Sequence, residues 1–158
     1  MKKNRNNNLI GLFIYDRDKY FLKSLIKKIN HVPFIKEVIN FLALHNDPDV
    51  PKLIFDFTRH KYSKGYRSSL ILLLDNYDSI EYIYKLLFLF LNDSYNATWY
   101  CYDIIIKYLK KINLKDLNKL SNLITKHILI EKDKDKIDYH KLLLTKIKAE
   151  IKLRERKG

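Results

Sequence analysis

Apolar residues recur along this chain at intervals of three and four, the spacing of one face of an α-helix, and short clusters of polar turn residues interrupt them. The clearest instance is residues 65–78, GYRSSLILLLDNYD. Tyr66, Leu70, Leu73 and Leu74 form a helix stripe, Gly65 breaks the chain before it, and Asp75-Asn76-Tyr77-Asp78 supplies a stop and the cap of the next element. Thirty-one residues further on, Ala97, Cys101 and Ile104 stand at the offsets of Tyr66, Leu70 and Leu73. A period of that length marks a repeat array.

The same pattern predicts about eight helices in all. The first spans 17–30 on the stripe Tyr20, Phe21, Leu25, Ile26 and Ile29, and the second spans 33–45, with Pro33 in its first turn and Phe34, Val38, Phe41 and Leu42 inward. The third runs over 49–60, where Pro51 is tolerated in the first turn and Val50, Leu53, Ile54 and Phe57 form the buried side. The short fourth helix, 66–74, is followed by a fifth over 80–92, capped by Asp78 or Ser79. That fifth helix is apolar nearly all the way round and is therefore expected to be covered on more than one side, with Phe88 inside. A sixth, over 97–111, carries Ala97, Cys101, Ile104, Ile105 and Tyr108 on one face and Trp99, Asp103, Ile106 and Lys110 on the other. The seventh, over 114–130, turns Leu117, Leu120, Ile124 and Ile128 inward, and the last, over 137–156, follows a solvated charge run at 131–136.

Composition narrows the fold class. Hydrophobic residues make up 47% of the 158 positions and charged residues 31%, enough for a packed core with a polar exterior. Only three Gly and three Pro are present, too few for the turns of a β-sandwich or for the Gly-rich loops of a nucleotide-binding α/β fold, so the class is all-α. Residues 1–8 are polar and basic without periodicity and read as a disordered tail, and 9–158 read as a single helical-repeat domain. The lone Cys101, on an apolar stripe, allows no internal disulfide and no cysteine metal cluster, which fits a reducing compartment. No signal-peptide pattern is expected at the start, and the longest apolar run, Leu86 to Leu91, is far short of the roughly 20 residues a membrane helix needs. A cytoplasmic protein with no membrane partner is the expectation.

Residues 47–78, DPDVPKLIFDFTRHKYSKGYRSSLILLLDNYD, have an acidic-proline entry, a first helix, a basic turn and a tight second helix with Arg67 near its start. This unit and its successor, together about residues 47–112, resemble HEAT-type repeats. The resemblance implies an α-solenoid, a right-handed stack of antiparallel helical hairpins. GYRSSLILLLDNYD with its long apolar successor is also similar to small helical-repeat proteins encoded beside bacterial toxins, which implies an immunity protein that neutralises a co-encoded toxin. The strongly basic ends of this chain depart from that pattern.

Stacked hairpins offer a continuous surface, so the expected function is a non-enzymatic protein-binding module. Its recognition face would be the non-core side of the second helices, namely Arg67, Ser68, Ile71, Trp99 and Asp103, with Leu70 and Cys101 inside. Trp99 is flanked by Tyr100 and Tyr102, and aromatic anchors dominate protein interfaces; packing on the next repeat is the competing reading. Arg67, in a first turn whose dipole favours acids, requires a partner of its own.

A second candidate is the basic loop Arg59, His60, Lys61 and Lys64, which suits an acidic surface or a phosphate, although charge runs on turns are ordinarily just solvated. The formal charge is +13, and the rival function is nucleic-acid binding through that loop and the termini. However, residues 31–130 carry thirteen bases against ten acids, while the excess sits at the two ends rather than along a continuous track. Only weak, sequence-blind nucleic-acid binding is expected. The five histidines are scattered, with Lys126-His127 and Tyr139-His140 reading as surface pairs, and neither HExxH nor a nucleophile elbow occurs. No catalytic residue, metal, cofactor or small-molecule substrate is predicted.

Overall fold

The computed structural model describes residues 39–40, 50–59 and 63–156. The predicted tail at 1–8, the first predicted helix and nearly all of the second lie outside them. Among the described residues there are six α-helices and no strands, so the chain is all-helical: α1 Val50–Thr58, α2 Arg67–Leu73, α3 Ile83–Asn92, α4 Tyr95–Tyr108, α5 Leu114–Ile128 and α6 Lys134–Glu155. None of these helices is long and apolar enough to cross a membrane. They fall into two compact units, divided between Tyr77 and Asp78.

In the first unit, α1 packs against α2. Val50, Leu53, Ile54 and Phe57 are buried as the periodicity predicts, and Phe55 joins them. The end of α1 is tied to the start of α2 through Ser63, whose hydroxyl donates to the Thr58 carbonyl at 3.0 Å and accepts from Arg67 Nε at 3.3 Å. α2 stops after seven residues, and its last turn tightens into a 3-10 helix at Leu74–Asn76.

The second unit is two hairpins. α3 and α4 pack side by side across the two-residue link Asp93-Ser94, and α5 and α6 pack likewise; α3 also lies against α5, and α4 against α6. Within the first hairpin the Thr98 hydroxyl donates to the Phe90 carbonyl at 3.2 Å, and the Tyr108 hydroxyl accepts from the Ser79 amide at 3.0 Å. The core is assembled from Leu86, Leu87 and Phe90 of α3, Ala97, Cys101, Ile104 and Ile105 of α4, Leu117, Leu120 and Ile124 of α5, and Leu143 and Ile147 of α6, all nearly or fully inaccessible.

Phe88 is a correction to the expectation. It is 65% exposed, because α3 is covered on most of its circumference but not all of it, and Tyr84 and Phe88, four residues apart, share the open strip. A second correction concerns the start of α6. Asp133 accepts from the amides of Asp135 and Lys136 at 3.0 and 3.3 Å, so part of the charge run predicted as a loop is already helix, nucleated by an N-cap. Asn113 caps α5 in the same way, accepting from the Asp116 amide at 2.9 Å, and the Asp116 carboxylate in turn accepts from the Tyr84 hydroxyl at 2.6 Å. Burial, and then that bond to an anion, push the Tyr84 phenol up to about 12.

Candidate partner-binding groove

The two faces of α4 separate as the sequence predicts. Ala97, Cys101, Ile104, Ile105 and Tyr108 point into the core, and burial, followed by the nearby Asp93, pushes the Cys101 thiol up and leaves it a packing group. On the other face Trp99 is 41% exposed, and Asp103, one turn on, is exposed.

Trp99 is the centre of an aromatic cluster. Its ring stacks on Tyr102 of its own helix at a centroid distance of 5.8 Å and an interplanar angle of 22°, and it meets Tyr139 of α6 edge to face at 5.6 Å and 85°. Such geometries suit the ring quadrupoles and hold the indole in a fixed orientation with part of its surface in solvent. One part of the ring packs on the next hairpin, and the rest is open.

Two adjoining hollows flank the ring. One, of about 310 Å³, is lined by Asn96, Trp99, Tyr100 and Tyr139. The other, of about 680 Å³, runs along α6 and is lined by Trp99, Asp135, Asp138, Tyr139 and Leu142. The α6 residues recur at three- and four-residue spacing and so share one helix face, a signal present in the sequence that the reading of Tyr139-His140 as a surface pair overlooked.

The other predicted site residues are placed differently. Ile71 is fully buried, so it belongs to the core and not to a recognition face. The run Leu70 to Leu74 is apolar on every side, which left the orientation of α2 open; the face that packs holds Leu70, Ile71 and Leu74, while Leu72 is 49% exposed. Arg67 is half-buried and bonded to Ser63, and Ser68 is half-buried beside it; both lie in the first unit. Of the basic loop, Arg59 and Lys64 are exposed, while His60 and Lys61 lie outside the described residues.

His127 and His140, expected at the surface, come together instead. His140 is fully buried, and among the described residues neither of its ring nitrogens has a hydrogen-bond partner; Nδ1 of His127 is buried in the same condition. The two rings stand 5.1 Å apart and edge to face, and Phe90 closes the other side of His140 at 5.1 Å. Burial, then the neighbouring His127, hold the His140 imidazole below its ordinary value; the nearby Phe90 carbonyl acts the other way and is outweighed. The sequence signal was there, since His140 extends the stripe of Leu143, Ile147 and Ile151, and His127 extends that of Leu120 and Ile124.

No family model, curated protein or solved structure matches this chain.

Proposed function

We propose that the protein is a non-enzymatic binding module built as a HEAT-like stack of helical hairpins, and that it holds a protein partner on the Trp99 groove. The packing of α3 on α5 and of α4 on α6, first helix on first and second on second, supports the stacked reading of the second unit. The observation that carries the function is Trp99 itself: a tryptophan that is 41% exposed, locked by Tyr102 and Tyr139, and open to a groove with Leu142 on its wall. A large apolar surface already fixed in orientation loses little entropy on binding, and for that reason tryptophan and tyrosine recur as anchors of protein interfaces. Asp103, one turn from Trp99, extends the face. The class of partner follows from the resemblance of residues 65–78 and their successor to immunity proteins: a toxin encoded beside this chain.

The test is calorimetric binding of the purified chain to the product of the adjacent reading frame. Trp99→Ala should weaken the complex by about 2 kcal/mol or more, while the melting temperature falls only modestly. Leu142→Ser, at a 41% exposed position, provides a second variant that leaves the core intact. Absence of a complex overturns the partner; a complex indifferent to both variants overturns the face.

A further inference from the structure

We infer that the groove beside Trp99 receives a cationic side chain, a lysine or arginine presented by the protein partner. This rests on the binding-module reading above and adds the chemistry that would make the recognition selective. Against 31 Lys and Arg and 18 Asp and Glu in the whole chain, the described residues lining the two hollows include two carboxylates, Asp135 and Asp138, and no base. In so basic a molecule this is a local reversal of sign, and it coincides with the indole, whose face attracts cations more strongly than any other aromatic side chain does. Tyr139, perpendicular to that indole, supplies a second aromatic wall.

Helix capping explains only part of this acidity. Asp133 is the N-cap of α6 and Asp135 lies in its first turn, where a negative charge complements the helix dipole. Asp138 lies beyond the first turn and, among the described residues, makes no capping bond and meets only Lys141 at 3.9 Å, in a contact whose side chains are 78% and 62% exposed. An ion pair so long and so open contributes little, so an incoming cation displaces it at small cost. Lys134 and Lys136 flank the helix start but line neither hollow. An arginine laid over the indole would direct its N–H groups to the carboxylates and its methylenes to Leu142, which matches a lining that combines Trp99 and Leu142 with Asp135 and Asp138.

Trp99 is the sole tryptophan, so the intrinsic fluorescence of the unmodified full chain reports on this site alone. The probes are N-acetyl-arginine amide and its neutral isostere N-acetyl-citrulline amide. The expected result is saturable quenching by the arginine compound with a millimolar Kd, about tenfold weaker or no response to the citrulline compound, and loss of that preference in the Asp135→Asn/Asp138→Asn double variant. Equal responses to the two probes, no saturable response to arginine, or a preference for an oligothymidylate strand would overturn the inference. The outcome is separable from that for the partner. A toxin complex lost in Trp99→Ala but unchanged in Asp135→Asn/Asp138→Asn keeps the binding face and rejects the cation. A selective arginine response without any toxin complex keeps the cation site and rejects that partner.

Discussion

His127 and His140 stand edge to face, 5.1 Å between ring centroids, across the α5–α6 hairpin, and among the described residues no hydrogen-bond partner satisfies either nitrogen of the inner ring. The groups facing this pair are the Phe90 carbonyl from α3, Glu131 in the link between the helices, and Lys136 on α6. A histidine buried as a neutral ring must take up a proton when the chain unfolds in acid, and stability becomes dependent on pH. In the unfolded chain His140 titrates near about 6.5, and in the fold it titrates lower. The unfolded state therefore binds more protons as pH falls below that value; the stability is fully present above about 6.5 and drains away toward the folded-state value. His140→Leu should be at least as stable at neutral pH, because it leaves no unpartnered nitrogen, and its melting temperature should fall less between about pH 7.5 and about pH 5. Parallel pH profiles for the two proteins would show that another group governs the acid response.

Arg154, near the end of α6, donates to the carbonyls of Ile112, Leu109 and Lys110 at 2.6, 3.1 and 2.8 Å while its Nε is paired with Glu150 at 2.8 Å. One guanidinium thus satisfies three carbonyls at the end of α4 and closes the second hairpin on the first, a task that needs a planar fork of donors. Arg154→Ala should cost about 2 kcal/mol, read as a lower urea midpoint at constant slope, and Arg154→Lys should recover less than half of it. Full recovery by lysine would reduce the role to charge alone.

Phe88 and Phe90 are two residues apart on α3, one 65% exposed and the other fully buried. Phe88→Asp should leave the melting temperature nearly unchanged, within about 0.5 kcal/mol, whereas Phe90→Ala should cost about 3 to 5 kcal/mol. Thermal melts of the two variants, side by side, check the orientation of α3. A strong loss for Phe88→Asp would mean that this strip is covered in solution.

What the sequence determined by itself follows from local physics. The 3.6-residue period of the apolar positions fixed which of the described segments become helices, and in α1 and α4 it also fixed which face goes inward, because those stripes are bounded by polar residues. Capping chemistry was equally local, since Asn113 and Asp133 each bond to amides only two or three positions away. Where a helix is apolar all round the period carries no direction, and only the packing of neighbours decided that Ile71 is core and Phe88 is surface. The Trp99 groove and the His127–His140 pair likewise required tertiary structure. Each joins side chains from different helices, Trp99 with Tyr139 across forty positions and His127 with His140 across thirteen, and no periodicity within one helix states which face of another it will meet.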